Sequence, residues 1–265
     1  SAGMPGIKYF AATMPLIYQH GGRFYGDYVS KTTINEEAAL NGLRELTDLF
    51  LIFNAPYDVP SFYQHFRDGS IPIGIAEYSM YNLLLNAAPE IADSWDIALF
   101  PGVEAENGEV SRYTAGAAES SVIFESSERK EDAWEYMKWW NSVETQVEFG
   151  YTLQTTYGKE FLWNTANMDA FEQLPWQSNH KDVIREQAEW MVEAPRVPGS
   201  YMLERELSNL YNAVVVNGEQ LRTAVDNAVK RINRETERKL EEFGYMKDGV
   251  MVKEYLVPSI ETEVK

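Results

Sequence analysis

The chain has 265 residues, of which 45% are hydrophobic and 24% charged, as is usual for a globular protein of one large or two small domains. Its 41 acidic residues outnumber its 23 basic residues, and the resulting net charge of −18 repels nucleic acid and anionic lipid, so we expect no nucleic-acid partner. The absence of cysteine excludes disulfides, thiolate metal sites and cysteine nucleophiles.

The N-terminal sequence SAGMPGIKYF lacks a basic segment followed by an apolar one, which is the pattern of a signal peptide. Either the protein is intracellular or its export signal lies upstream of residue 1, and we favour the second interpretation. No apolar run in the chain approaches the roughly 20 residues that a membrane-spanning helix needs.

The first half of the chain alternates predicted helices with predicted strands. Thr33 and Glu36 fit a capping box in front of an amphipathic helix. The apolar residues of that helix recur at spacings of three and four: Leu40, Leu43, Leu46, Leu49 and Phe50. Two shorter helices are predicted over 61–68 and 78–88.

Short apolar runs predict strands over 71–76, 94–102 and 111–124. Asn107-Gly108, between the second and third runs, is typical of a hairpin turn. The third run contains several small residues around Gly116, and small residues in a strand indicate a close approach of backbone or ligand.

The chain is almost purely helical after residue 127. Trp134 and Trp140 lie on one helical stripe, which favours a core position for both. Further helices are predicted over 180–192, 200–216 and 219–243, and the last carries Glu235 four residues before Lys239 on its exposed face. This order of elements predicts an α/β or α+β chain with a small sheet.

Standard catalytic and metal-binding motifs are absent from the sequence. The three histidines, His20, His65 and His180, share no metal-ligand spacing, so we predict no metal site. Glu77, beside two tyrosines at the end of a predicted strand, is the best single candidate for an acid/base residue. A solvated carboxylate at a strand end is the more common reason for such a residue.

Aromatic residues make up 13% of the chain, and some lie where a predicted strand meets a helix. Tyr78, Tyr81 and Asn82 occupy such a junction, and ligand groups in open α/β sheets usually lie beyond the carboxyl ends of strands. Aromatic faces stack on sugar rings while their polar atoms bind hydroxyl groups, which favours a neutral, hydroxyl-rich ligand. For Tyr81 a core position in the following helix is an equal alternative.

Several stretches resemble, in order, the extracellular solute-binding proteins of ABC importers, in the carbohydrate-type family 1 that includes maltose-binding-like proteins. The most specific stretches are FYQHFRDGSIPIGIAEYSMYNLL, WDIALFPG and AWEYMKWWNSVETQ. The resemblance extends from about residue 9 to residue 243.

The resemblance implies an α/β, periplasmic-binding-protein-like (type II) fold that is rich in helix and has two lobes joined by a hinge. The chain resembles only the C-terminal portion of such a protein, so we expect an incomplete architecture that lacks most of the first lobe. Residues 1–112 would belong to the second lobe and 113–160 would return to the first lobe. Residues 161–265 would form a helical portion, mostly of the second lobe, with an acidic tail.

The resemblance also implies a ligand site in the cleft between the lobes, with no catalytic residue, metal or cofactor. The residues that match ligand-binding positions lie in a strand-end turn, a crossing strand and the start of a late helix: Tyr78, Ser79, Tyr81, Asn82, Gly116, Glu119, Tyr201 and Arg205.

The implied function is that of the extracytoplasmic solute-binding component of an ABC transporter. It would capture a sugar or oligosaccharide and deliver it to the membrane permease subunits without covalent chemistry. The implied location is extracellular or periplasmic, with the full-length protein anchored to the membrane as a lipoprotein. Two alternatives are a carbohydrate-active enzyme that uses Glu77 or Glu119 as acid/base, and a sensor or interaction domain with the same fold.

Overall fold

The computed structural model describes residues 10–257, except 28, 30, 57, 58, 60, 93, 106, 117, 118 and 160. For residues 10–12 and 78 it describes the backbone alone. The last eight residues of the predicted acidic tail, 258–265, therefore lie outside the described residues.

Helices account for most of the regular structure. The α-helices of the described part are α1 Phe10–Gln19, α2 Glu37–Leu51, α3 Phe62–Arg67, α4 Tyr78–Ala87, α5 Lys130–Trp140, α6 Val143–Tyr157, α7 Met168–Phe171, α8 Ser178–Ala188, α9 Ser200–Tyr211 and α10 Leu221–Glu242. A 3₁₀ turn covers Pro89–Ile91, and a π-helical turn, Asn212–Val216, continues α9. None of the described helices has both the length and the apolar character needed to cross a membrane.

The strands that the structure describes are short and form three two-stranded pairs. They are β1 Val103–Glu104, β2 Val110–Ser111, β3 Thr114–Ala115, β4 Met191–Val192, β5 Met246–Lys247 and β6 Val250–Met251. β1 and β2 form the antiparallel hairpin predicted around Asn107-Gly108, with Gly108 at a φ of 85°. β5 and β6 also pair antiparallel, whereas β3 and β4 pair parallel.

The described contacts divide the chain into two compact units. The first unit comprises Ser1–Phe62, Phe100–Gly116 and Glu189–Lys265, and the second comprises Tyr63–Leu99 and Ala117–Ala188. The predicted segments 1–112, 113–160 and 161–265 refer to the lobes of a larger fold, which this division does not test, so they stay predictions.

The first unit holds the larger hydrophobic core. Helix α1 packs on α2, and α9 packs on α10. The largest side chains that are almost fully buried in this unit come from these helices and from the loop after α1: Met14, Ile17, Phe24, Tyr25, Ile34, Leu43, Leu203, Leu207, Ile232 and Leu240. The amphipathic spacing seen in the sequence of α2, α9 and α10 therefore corresponds to a real buried face.

The second unit has a smaller core. Five buried residues form its cluster: Tyr81, Leu162, Phe171, Leu174 and Trp176. Helix α5 buries none of its side chains completely, and Trp134 is 53% exposed. The predicted core position of Trp134 is wrong, because the described residues of this unit place no packing layer over that side of α5. Trp140 is half-buried against Phe149 and Trp163.

Two predicted strands, 71–76 and 94–102, form no strand in the structure. Ile73 and Ile75 are 85% and 56% exposed, so the first apolar run is not buried either. A strand requires a neighbouring strand for its ladder of backbone hydrogen bonds, and the described residues pair no strand with these two segments. Pro72 also lacks the N–H that a central strand would donate. The third predicted strand, 111–124, is reduced to Ser111 at the end of β2 and to β3.

Several helix boundaries differ from prediction. Glu36, not Thr33, occupies the N-cap of α2 and makes no side-chain cap hydrogen bond. The Thr33 hydroxyl instead donates to the carbonyl of Arg23 at 2.8 Å, which fixes the loop before the helix. The predicted helix 180–192 ends at Ala188, because Met191 and Val192 pair with β3.

Gly42 allows α1 and α2 to approach backbone to backbone. A Cβ at this position would lie 2.5 Å from the Leu16 carbonyl oxygen and 2.7 Å from the Ile17 Cα. We predict that Gly42→Ala lowers the free energy of unfolding by about 1–3 kcal/mol, although alanine is the better helix former. Thermal or urea unfolding measures the change.

Gly26→Ala is the control for this prediction, because a Cβ at Gly26 meets no atom within 4 Å and its φ is not positive. An unchanged or raised stability of Gly42→Ala, relative to the unsubstituted chain, would contradict the backbone contact.

Candidate functional site

The predicted strand-end turn is the first turn of α4, in the second unit. Glu77 is the N-cap residue with extended backbone, and Tyr78 begins the helix. Ser79 and Glu77 are exposed, and Asn82 is half-buried. The side chain of Tyr78 lies outside the described residues, so its predicted role as a stacking residue stays a prediction.

Tyr81 is a core residue of the second unit. Its side chain is 8% exposed, and its ring packs against Trp95 and Trp176 at centroid distances of 5.4 and 5.0 Å. Its hydroxyl lies 2.8 Å from Nδ1 of His180, whose Nε2 lies 2.9 Å from Oδ1 of Asp96. Burial, followed by the charge of Asp96, raises the pKa of Tyr81 to about 12. Contact between Tyr81 and a ligand stays a prediction.

Asn82 carries a buried amide oxygen, Oδ1, that has no hydrogen-bond partner among the described residues. The backbone carbonyl of Asn82, in contrast, accepts from the Asn86 amide at 2.6 Å. A buried acceptor without a donor costs about 1–3 kcal/mol, and a hydroxyl group brought by a ligand is one way to satisfy it. Within α4, Asn82 therefore has the clearest unused hydrogen-bonding capacity.

Gly116 and Glu119 lie on either side of the point where the chain passes from the first unit to the second. Gly116 follows β3 and donates its N–H to the carbonyl of Val192 at 2.8 Å. A Cβ there would lie 3.2 Å from the Cβ of Met191, so the close approach predicted at Gly116 is made by the side chain of Met191. Glu119 is exposed.

Tyr201 and Arg205 lie four residues apart in α9 of the first unit, so they share one face of the helix. That face is accessible, because Tyr201 is 49% exposed and the Arg205 side chain is 62% exposed. The Arg205 guanidinium contacts the sulfur of Met202 at 3.0 Å and lies 3.8 Å from the carboxylate of Glu206. The aromatic ring of Tyr201 and the guanidinium N–H donors of Arg205 therefore lie on the same accessible face of α9.

The hydroxyl of Tyr201 donates to the carboxylate of Glu235 on α10. Glu235 also accepts from Arg238, and these contacts, with Arg238 first, lower the pKa of Glu235 to about 2. The predicted pair of Glu235 with Lys239 is not formed as an ion pair, because Lys239 contacts Glu242 at 2.8 Å instead. The sequence does not predict Glu235 and Arg238 as neighbours of Tyr201, since no local spacing relates residues 34 and 37 positions apart.

A small pocket lies beside the π-helical turn in the first unit. It has a volume of about 70 Å³ and is lined by Asn209, Leu210, Ala213, Glu219, Ala224, Asn227 and Arg231. Arg231 also donates to the buried carboxylate of Glu206 at 2.6 Å. Ligand pockets are usually about 300–1,000 Å³, so this space is too small for a sugar. The described residues also contain no cluster of three histidine or carboxylate side chains that could hold a metal ion.

The predicted site residues divide between the two units. The first unit holds Gly116, Tyr201 and Arg205, and the structure brings the last two together on α9. The second unit holds Glu119 and the α4 residues, of which Ser79 and Asn82 lie in consecutive turns. A single cleft that contains both groups stays a prediction.

No family model and no curated protein matches the sequence. Solved structures do match. The sugar-binding protein MalE from Xanthomonas citri has a TM-score of 0.67 at 16% identity, and the match covers 91% of this chain and 59% of that one. MalE from Listeria monocytogenes, in complex with maltose, has a TM-score of 0.59 at 17% identity, with coverage of 91% and 60%.

An ABC transporter solute-binding protein from Thermotoga lettingae, bound with alpha-D-tagatose, has a TM-score of 0.59 at 20% identity. That match covers 85% of this chain and 56% of the Thermotoga chain. The chain has the fold of these solute-binding proteins. The resemblance and the predicted fold class, a helix-rich and incomplete periplasmic-binding-protein-like chain, are thereby confirmed.

The chain spans less than two thirds of the length of these solute-binding proteins, between 56% and 60%. At sequence identities of 16–20%, these matches show a shared fold and do not establish a shared binding specificity. The placement of this chain in the C-terminal portion of the fold stays a prediction, as does every residue assigned to ligand binding.

Tyr81 provides a test of the buried network in the second unit. The pKa of Tyr81 is raised from 10.0 to about 12 in the folded chain, so folding favours the protonated hydroxyl. The stability from this difference is fully present below pH 10 and is lost as the pH rises towards 12. We predict that Tyr81→Phe, which cannot ionise, loses less stability between pH 9 and pH 11 than the unsubstituted chain does.

Urea unfolding at pH 9 and pH 11 gives the free energy of unfolding of each variant at both pH values. Because the loss is the difference between the two, any destabilisation by the substitution that is equal at both pH values cancels. Tyr157→Phe is the control, because the Tyr157 side chain is 61% exposed. Equal losses in Tyr81→Phe and in the unsubstituted chain would contradict the burial of an un-ionised hydroxyl at Tyr81.

Proposed function

We propose that the chain is the solute-binding part of an ABC importer and captures a sugar or oligosaccharide without covalent chemistry. The observation that carries this proposal is the shared fold with solved solute-binding proteins, two of which are described with bound tagatose or maltose. The proposal includes delivery to membrane permease subunits and a location outside the cytoplasm, with a lipid anchor in the full-length protein.

The chemistry of Tyr201, Arg205 and Asn82 supports a neutral, hydroxyl-rich ligand. Tyr201 offers a half-exposed ring, and Arg205 offers guanidinium donors one helical turn away. Asn82 offers an amide oxygen that lacks a donor among the described residues. Stacking on the ring and hydrogen bonds to hydroxyl groups are the two interactions that orient sugars. The proposed binding residues remain Tyr78, Ser79, Tyr81, Asn82, Gly116, Glu119, Tyr201 and Arg205.

No observation favours the carbohydrate-active enzyme. Glu77 and Glu119, its acid/base candidates, are both exposed, and a general acid is typically held in a desolvated site. The solved proteins that share the fold are named as binding proteins. We therefore propose a binding module, and turnover of a chromogenic glycoside that Glu77→Gln or Glu119→Gln abolishes would contradict it.

Calorimetric titration with tagatose, maltose and maltotetraose tests the proposed function directly. We predict saturable heat for at least one of these neutral sugars, and none for a sugar phosphate or a tripeptide. We further predict that Asn82→Ala weakens that binding about threefold to tenfold, because a hydroxyl group of the sugar loses the Asn82 amide oxygen as its acceptor.

Asn86→Ala is the matched control, since Asn86 lies on the same helix and its amide bonds the Asn82 backbone. Heat from the tripeptide or the sugar phosphate, with none from any neutral sugar, would contradict the sugar assignment.

A further inference from the structure

The start of α9 is held unusually close to α10. Gly199, the N-cap residue of α9, has a φ of 85°, which a side chain rarely adopts. A Cβ at Gly199 would lie 3.1 Å from the Cα of Thr236, a fully buried residue of α10. Because the two backbones are in contact here, the second residue of α9, Tyr201, lies directly beside Glu235.

A network of charged hydrogen bonds fixes the hydroxyl of Tyr201. The hydroxyl donates to Oε1 of Glu235, whose side chain is only 14% exposed. Arg238 holds both oxygens of that carboxylate, with Nη2 at 2.6 Å from Oε1 and Nε at 3.0 Å from Oε2. Arg238 also contacts Glu242 at 3.2 Å and lies 3.5 Å from the Tyr201 hydroxyl.

This arrangement separates the two functional parts of the tyrosine. The donor of the hydroxyl is engaged by Glu235, so it is not available to a ligand. The residue as a whole remains 49% exposed, and its ring is held by its far end, which limits the rotation of the ring. A side chain that is ordered before binding loses less conformational entropy when a ligand stacks on it, and that entropy is about 0.5–1.5 kcal/mol for one immobilised side chain.

We infer that Glu235 and Arg238 are positioning residues that hold Tyr201 as a preformed platform for the apolar face of a neutral sugar ring. This inference rests on the proposed function, because it assigns the stacking surface of the same site. Glu235 and Arg238 act through Tyr201 and do not contact the ligand. Recognition at Tyr201 then depends on the C–H face of the sugar and not on a hydrogen bond to the phenol.

A double-mutant cycle of Tyr201→Ala and Glu235→Ala tests the inference in the full chain, with the neutral sugar that binds most tightly among tagatose, maltose and maltotetraose. Tyr201→Ala should weaken binding about tenfold, and Glu235→Ala about threefold to fivefold. Glu235→Ala should have no further effect in the Tyr201→Ala background. Glu235→Gln, which keeps an oxygen for the hydroxyl, should retain most of the affinity.

Asp226→Ala is the matched control, because Asp226 is an acidic residue of the same helix whose ion-pair partner, at 3.3 Å, is Arg222. Circular dichroism melting of each variant without sugar separates loss of folding from loss of affinity. Non-additivity of the two substitutions is the result that a purely structural role of Glu235 would not produce.

Two results would overturn the inference, and they show separately whether the positioning role or the proposed function has failed. If the unsubstituted chain binds sugar but Glu235→Ala binds it equally well, or weakens binding by the same factor in both backgrounds, Glu235 does not position Tyr201. If the unsubstituted chain binds none of the three sugars, the proposed function fails, and the platform role fails with it.

Discussion

The packing of α9 against α10 is the constraint on which the best-defined part of the structure depends. Leu203 and Leu207 of one helix and Ile232 of the other are almost fully buried, and Gly199 lets the backbones touch where α9 begins. This contact fixes the rotation of α9, so the face opposite the core is determined as well. Tyr201 and Arg205 lie on that outer face because the inner positions are occupied by the core.

The two units differ in how much apolar surface they bury. The first unit is a helical core in which α1, α2, α9 and α10 bury an extensive cluster. The second unit has a smaller cluster around Tyr81, while side chains such as Ile73, Phe124 and Trp134 stay exposed. The three solved proteins described above are longer than this chain, which covers 56–60% of them. The limited burial of the second unit and the short strand pairs agree with a chain that spans only part of such an α/β fold.

The candidate residues fall into two chemical kinds, which the sequence did not separate. Tyr81 and Tyr201 are the same residue type, yet one is packed among Trp95, Trp176 and His180 and the other presents a half-exposed ring. In both cases the hydroxyl has a specific partner on another helix. For a ligand, an exposed ring with a satisfied hydroxyl offers stacking, whereas Asn82 offers an acceptor without a donor.

The sequence by itself determined the helices, because a spacing of three and four residues encodes a buried face within one element, as in α2, α9 and α10. It also determined the hairpin at Asn107-Gly108 and, through ordered stretches, the fold class. The strands 71–76 and 94–102 were predicted wrongly, since a strand depends on a partner that local sequence does not contain. Only the tertiary structure decided that Tyr201 meets Glu235 and that Tyr81 meets His180, 34 and 99 residues apart. Such contacts arise from the way helices pack, and a local pattern of residues carries no information about a distant partner.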